Sequence, residues 1–282
     1  MQSELLDITG KIDTATLSVF QHVAEVTYDL AMPYAVVGAT ARDLVLHHYY
    51  GARTQRATQD LDFAIQVPDW FAFQVLKERL LERGFVADKQ PQRLRNETGG
   101  IIDIIPFGPV GSQGTSISWP PGGDVIMSVL GLQEAFENAV SVRLQTDPRI
   151  DVDVVSPVGL MILKLVSWTE RDLQNRKKDA KDVFFVLSGY EEIPAVRDAF
   201  YEDHELIDTY SGDITLGTAR LLGRHVSAIL KSPTRSLVDQ LLSDRIQDKT
   251  TERLVMDSCD TGRNQFARHQ SLLEAFAKGL NE

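Results

Sequence analysis

The sequence predicts an α+β protein in two parts: a mixed-sheet domain over residues 1–155 and an all-helical domain over residues 156–282. Three observations predict it. Up to Val155, short apolar runs bounded by Gly or Pro alternate with stretches of helical spacing. Ser156-Pro157 then supplies an N-cap followed by Pro at the first helical position. Beyond that point apolar residues recur at helical spacing almost to the end.

The elements follow in order. Leu17, Phe20, Val23, Ala24 and Leu30 line one face of a helix over Thr14–Leu30, with Asp13 or Thr14 as its cap and Pro33 beyond its end. Tyr34–Val37 is a buried strand that stops at a tight Gly38 turn, and Ala41–Tyr49 is helical. Leu61–Val67 alternates as a strand does and is closed by Pro68. Asp69 caps a helix that runs to Arg83 and stops at Gly84. Arg93–Arg95 and Gly100–Ile105 are two strands joined by Asn96–Gly99. Phe107–Asp124 is dense in Gly and Pro and is expected to be loop. Leu132–Ala139 is predicted as helix, and Val142–Leu144 and Ile150–Val155 as strands. The second part is expected to hold helices at about 157–172, 176–188, 194–209, 214–231, 233–247 and 263–280.

Composition bounds the function. Lys+Arg number 29 and Asp+Glu 40, giving a net charge of −11. Such a chain does not coat nucleic acid by bulk charge; it would need a local basic patch or metal ions. The single cysteine, Cys259, excludes an internal disulfide and a cysteine-based zinc site. The N-terminal Met1-Gln2-Ser3-Glu4 is acidic with no apolar segment after it, against a signal peptide. The most apolar window, Val158–Val166, is interrupted by Lys164 and far short of the ~20 residues that a spanning helix needs. A cytoplasmic protein with no membrane partner is expected.

Three features of the first part belong together. Gly38-Ala39-Thr40-Ala41-Arg42-Asp43 is a strand–turn–helix junction, a place suited to phosphate. Asp60-Leu61-Asp62 follows, with Asp60 22 residues after Gly38. The i, i+2 spacing puts both carboxylates on one sheet face and Leu61 and Phe63 on the other. Asp103, 41 residues after Asp62, interrupts Ile101-Ile102-Asp103-Ile104-Ile105. A carboxylate among strong strand formers is costly to bury unless paired or metal-bound. Two readings of Asp103 stand at this point: a metal ligand, or an edge residue salt-bridged to Arg95. Three carboxylates on one face make an oxygen-only site suited to Mg²⁺ or Mn²⁺. A pair of such ions can clamp the attacking and leaving oxygens of a phosphoryl displacement. The second Asp-x-Asp, Asp151-Val152-Asp153, reads as a solvated strand face.

Val36–Phe63 resembles the DNA-polymerase-β-type nucleotidyltransferase superfamily, whose members combine a Gly-Gly or Gly-Ser turn, an acidic pair on a strand and a third acid on a later strand. The resemblance implies that Asp60, Asp62 and Asp103 hold two divalent ions, that Gly38 and Thr40 line the triphosphate of an NTP, and that Asp103 helps deprotonate the incoming hydroxyl. Where the family has Gly or Ser this chain has Ala39, so Thr40 is expected to serve. Arg42-Asp43 is similar to the end of the Gly-Gly-x-Val-Arg-Asp turn of CCA-adding enzymes and poly(A) polymerases, which makes Arg42 a candidate nucleotide-binding residue. The downstream Arg-Arg-Asp motif of those enzymes has no match here.

The second part extends the likeness. Lys164 interrupts an apolar helical run, Arg171 follows at i+7, and Arg176-Lys177-Lys178-Asp179-Ala180-Lys181-Asp182 comes next. This layout resembles AbiEii-type nucleotidyltransferases, toxin halves of some abortive-infection and toxin–antitoxin pairs, over about residues 34–190. Lys164 is the candidate cation for the phosphates as pyrophosphate leaves, with Arg171 beside it. The alternative for Lys164 is a long stem snorkelling from a helix edge. Asp179 and Asp182 either orient these cations or cap the next helix. Arg176–Lys178 is either a solvated face or a local patch for RNA. Trp119, in the Gly/Pro-rich loop, is read as a core or loop anchor, with closure over substrate as the other reading.

The expected reaction moves NMP from an NTP to a hydroxyl, with an RNA 3′ end or a protein favoured as acceptor and an antitoxin as a further partner. The alternatives are a small-molecule (antibiotic) nucleotidyltransferase and a non-catalytic module that binds nucleotide or antitoxin.

Overall fold

The computed structural model describes residues 5–53, 60–96, 100–111, 115–120, 122–123, 125–242, 250–260 and 263–282. The expected junction residues 97–99 and the helix end at 243–247 lie outside the described residues. The chain forms two compact units. The first comprises Met1–Tyr49 and Arg53–Ser156, and the second Tyr50–Ala52 and Pro157–Glu282.

The first unit is built on β1 (Leu6–Asp7), β2 (Tyr34–Val37), β3 (Asp60–Gln66), β4 (Val86–Ala87), β5 (Arg93–Arg95), β6 (Ile101–Phe107), β7 (Ser116–Ser118), β8 (Ile126–Ser128), β9 (Ala139–Thr146) and β10 (Arg149–Val155). Its helices are α1 (Thr14–Asp29), α2 (Gly38–Arg42), α3 (Trp70–Glu82) and α4 (Leu132–Glu137). Eight strands form one mixed sheet in the order β1-β9-β10-β2-β3-β6-β5-β4, and β7 and β8 pair separately. The central pairings are β2 antiparallel to β3, β3 parallel to β6, and β6 antiparallel to β5. This mixed sheet followed by helices is the α+β class that the sequence predicts.

Local chemistry explains the elements that position the site. Asp13 caps α1 by accepting from the Thr16 N–H, and Asp69 caps α3 by accepting from Ala72. Phe20 of α1 meets Phe63 of β3 edge-on, with ring centroids 5.7 Å apart, and both are fully buried. Because side chains alternate along a strand, this apolar contact commits Asp60 and Asp62 to the opposite face.

The second unit is helical: α5 (Pro157–Glu170), α6 (Arg176–Gly189), α7 (Pro194–Glu202), α8 (His204–Thr209), α9 (Ile214–Ile229), α10 (Ser232–Leu242), α11 (Thr250–Ser258) and α12 (Arg263–Leu280). The α9 and α12 backbones approach closely at Gly223, where a Cβ would lie 2.1 Å from the Phe276 carbonyl oxygen.

Several elements differ from expectation. The helix after β2 begins at Gly38 rather than Ala41, and its second half, Asp43–Tyr49, is wound as a π-helix. The Gly/Pro-rich 107–124 stretch is not all loop, because it contributes β7 to a two-stranded ribbon. The predicted 194–209 helix is broken at Asp203, which caps α8 by accepting from the Leu206 N–H. β1, β4 and α11 carry no signal strong enough to have been expected. Trp119 is buried against Trp70 and Phe73, with ring centroids 5.3 and 5.7 Å away, as expected of an anchor rather than of a loop that closes over substrate. No helix among the described residues is long and apolar enough to cross a membrane.

Candidate active site

The acidic face is assembled by register. Asp62 of β3 lies beside Asp103 of β6 in the parallel pair, and Asp60 is two residues before Asp62. Residues in register on neighbouring strands project to one face, so Asp60, Asp62 and Asp103 share it. The antiparallel neighbour β5 sets Arg93 opposite Asp103 on the same face.

Gly38 carries the close approach. Its φ is +67°, and a Cβ there would lie 2.0 Å from Asp62 Oδ2. A glycine is therefore needed twice, for the conformation and for the room. Thr40, two residues into the same helix, donates its hydroxyl to the Asp60 carbonyl at 3.0 Å and ties α2 to the start of β3. Arg42 is buried, and its Nε donates to Asp43 Oδ1 at 2.8 Å.

Arg93 is the residue that sequence reasoning missed. Its Nε donates to Asp103 Oδ1 at 2.8 Å and its Nη2 to Asp103 Oδ2 at 2.6 Å. The same Nη2 reaches Asp60 Oδ2 at 3.3 Å. The hydrogen bonds to Asp103 hold the guanidinium well above the usual arginine range, against a smaller effect of burial. Arg95, expected as the partner of Asp103, instead pairs with Asp88 at 2.6 Å. The register explains the exchange. Arg95 faces Ile101 across a five-residue connection, and facing Asp103 would take seven. Register is set by the turn, and the sequence does not display it.

The donor set fits a hard divalent cation: three carboxylates, oxygen only, on one face, with Gly38 leaving Asp62 its room. Among the described residues no three His, Cys, Asp or Glu side chains converge on a common point as metal ligands. Both oxygens of Asp103 are instead turned to Arg93. A cavity of about 370 Å³ lined by Lys11, Phe20, Thr40, His48, Leu61 and Ile101 has none of the three carboxylates in its wall.

The helical unit holds its own charge cluster. Lys164 of α5 is buried and bonds Asp179 Oδ1 at 3.0 Å and Asp182 Oδ2 at 2.7 Å. Burial pulls its pKa down, but Asp182 and Asp179 outweigh burial and leave it raised. Arg171, just past the end of α5, reaches Asp179 Oδ2 at 3.1 Å. The snorkelling alternative for Lys164 does not apply, because its ammonium is enclosed rather than solvated. Asp179 and Asp182 are buried within α6; Asp179 pairs with both Lys164 and Arg171, and Asp182 with Lys164. In the basic run, Arg176 pairs with Asp257 at 2.7 Å and lies over the Trp168 ring, while Lys177 and Lys178 are exposed.

Elsewhere, Asp151 is the partner of Arg143 and Arg149, in keeping with a surface strand face.

Several solved structures resemble the chain at low identity. The antibiotic-resistance factor ANT(2″)-Ia in solution matches with a TM-score of 0.37 and 13% identity, covering 71% of this chain and 98% of its own. An antigenic nucleotidyltransferase-like protein from Paracoccidioides brasiliensis matches with a TM-score of 0.36 and 16% identity, covering 71% and 94%. A CCA-adding enzyme in complex with CTP matches with a TM-score of 0.32 and 11% identity, covering 93% and 79%. No curated protein matches the chain at a significant level. The family model of the nucleotidyl transferase AbiEii toxin of type IV toxin–antitoxin systems matches residues 24–271, and the chain, a nucleotidyltransferase, belongs to the AbiEii family.

Proposed function

We propose that this nucleotidyltransferase is metal-dependent, that it uses Asp60, Asp62 and Asp103 to hold two Mg²⁺ or Mn²⁺ ions, and that it moves NMP from an NTP to a hydroxyl of RNA or protein. The observation that carries the reading is the shared face of these carboxylates, fixed by the Asp62–Asp103 register. Divalent ions there supply charge neutralisation for the triphosphate and a polarised attacking hydroxyl. The acceptor oxygen bonds to the α-phosphorus, the bond to the bridging oxygen breaks, and pyrophosphate leaves. Asp103 takes the proton of the attacking hydroxyl, and Gly38 leaves Asp62 space beside α2. Thr40 fixes the backbone at Asp60. We assign Gly38, Thr40, Arg42, Lys164 and Arg171 to the neighbourhood of the nucleotide. Asp179 supports both of the last two, and Asp182 supports Lys164. In line with its family, the protein acts in the cytoplasm as the toxin of a toxin–antitoxin pair, with an antitoxin as partner.

The test is a transfer screen with each of the four α-³²P NTPs, Mg²⁺ or Mn²⁺, and total RNA or lysate protein as acceptor. The expected result is label on one acceptor class, lost with chelator and lost in Asp60→Asn with Asp62→Asn. Label that persists in that variant would refute the assignment of the carboxylates. Label on neither acceptor class would refute RNA or protein as acceptor and leave a small molecule.

A further inference from the structure

We propose that Arg93 is a built-in competitor for the metal: it holds the acidic face together when no divalent ion is bound, and it must release Asp60 and part of Asp103 for the ion to bind. The inference rests on the reading of Asp60, Asp62 and Asp103 as metal ligands.

The geometry is uneven, and the unevenness carries the argument. Arg93 grips Asp103 with two parallel bonds of 2.8 and 2.6 Å, the fork that guanidinium and carboxylate form best. It touches Asp60 with one longer bond of 3.3 Å. The Asp103 side chain is 15% exposed and that of Asp60 is 40% exposed. The contact to Asp60 is thus the weaker and wetter of the two and breaks first. Because the register places Arg93 directly opposite Asp103, its backbone cannot leave the site without unpairing β5 from β6. Only the side chain can move.

A guanidinium cannot shed its proton in a protein, so it yields only by swinging away. While it stays, its positive charge lies within hydrogen-bond distance of the same oxygens that a cation would use, and it repels that cation. The same charge relieves repulsion between Asp60 and Asp103 in the metal-free protein. Arg93 therefore trades metal affinity for stability of the empty face and sets the concentration of free divalent ion at which the site fills.

The experiment is Mn²⁺ titration of the full chain by calorimetry, with a melting curve of each variant with and without Mn²⁺. Arg93→Gln is expected to bind Mn²⁺ at least about tenfold more tightly than wild type. It is also expected to melt lower than wild type without metal and to gain more on adding it. Arg93→Lys keeps the charge without the fork and is expected to fall between the two; it decides the matter if Arg93→Gln does not fold. Arg95→Gln, on the same strand but paired with Asp88, is expected to match wild type. Unchanged or weaker Mn²⁺ binding by Arg93→Gln would overturn the proposal and make Arg93 a bystander or an orienting group. The two readings fail differently. If wild type binds Mn²⁺ and Asp103→Asn binds it equally well, or if wild type binds none, the assignment of the carboxylates falls, and this inference with it. If Asp103→Asn loses binding but Arg93→Gln equals wild type, only the inference falls.

Discussion

Both units set carboxylates against cations, but the helical unit encloses its set and the sheet unit leaves its set half open. In the helical unit the Asp179 and Asp182 side chains are 0% and 3% exposed and that of Lys164 is 11% exposed. In the sheet unit the Asp60 and Arg93 side chains are 40% and 20% exposed. The numbers matter because the energetics change with enclosure. A charge shut away from water must be matched by its neighbours, and removing one partner strands the other. A charge at a wet surface has solvent as a substitute, so its partners are replaceable and its oxygens remain accessible to a ligand. The enclosed cluster is therefore expected to report first on stability, and the open one first on chemistry.

The largest effect separates the two directly. Lys164→Met leaves Asp179 and Asp182 enclosed without their ammonium, and a loss of about 3–5 kcal/mol is expected from breaking such a buried pair. Asp60→Asn, by contrast, removes a charge from a partly exposed group held by one long bond to Arg93. It is expected to stay within about 0.5 kcal/mol of wild type while transfer activity disappears. Urea denaturation of both variants beside the label-transfer assay makes the comparison. If Lys164→Met unfolds like wild type yet transfers no label, the enclosed cluster serves the nucleotide and not the fold, and the contrast breaks down.

The next effect lies at Gly38, where the sheet unit does depend on its own packing. Gly38→Ala meets two obstacles: a φ of +67° and a Cβ 2.0 Å from Asp62 Oδ2. Gly212→Ala meets only the first, since its φ is +79° and nothing lies within 4 Å. The conformational penalty, about 1–3 kcal/mol, is common to both. Gly38→Ala is expected to melt lower than Gly212→Ala and, unlike it, to lose transfer activity through displacement of Asp62. Equal melting and full activity of the two variants would show that Asp62 accommodates the methyl group and that the close approach has no function.

The two clusters were not equally readable. Asp103 and Lys164 stand out in sequence because each is a charged residue in an apolar run, and Asp60 and Asp62 because they are an i, i+2 pair opening a strand. The periodicities also located β2, β3, β6 and most helices, since each depends on neighbours a few residues away. What escaped depends on distant neighbours. Arg93 and Arg95 alternate identically along β5, and only the pairing with β6 gives Asp103 to Arg93. β1 and β4 are two residues each and exist through pairing with β9 and β5. The break between α7 and α8 had a local cue, Asp203 as a cap, but the apolar spacing runs through it. The π-helical turn after α2 left no such cue.

The smallest effect concerns protons, and it again divides along enclosure. His225 and His269 of the helical unit each bond a hydroxyl through Nδ1 at 2.7 Å, Tyr190 for one and Ser258 for the other. His269 also stacks on Phe184 with ring centroids 4.2 Å apart. Burial holds both histidines below the ordinary value of 6.5, and for His225 the nearby Arg224 adds to it. In the unfolded chain they take up protons near that value, while in the folded chain they do so only at lower pH. The unfolded state thus binds more protons as pH falls through 6.5, and folding weakens in that direction. Above that pH the contribution is level. Carboxylates such as Asp203 and Asp213 have folded values lowered from 3.8, chiefly by bonds to the Leu206 N–H and to Arg268 respectively, so their contribution fails only below that range. Amide hydrogen exchange of α9 and α12, corrected for the intrinsic rate, is expected to lose protection in a shallow step between about pH 6.5 and 5 and a steeper one below 4. His269→Gln is expected to reduce the first step and leave the second unchanged. Protection that stays level from pH 7 to 5 in wild type would mean that these histidines accept protons without leaving their enclosures, and that the helical unit is less closed than its packing implies.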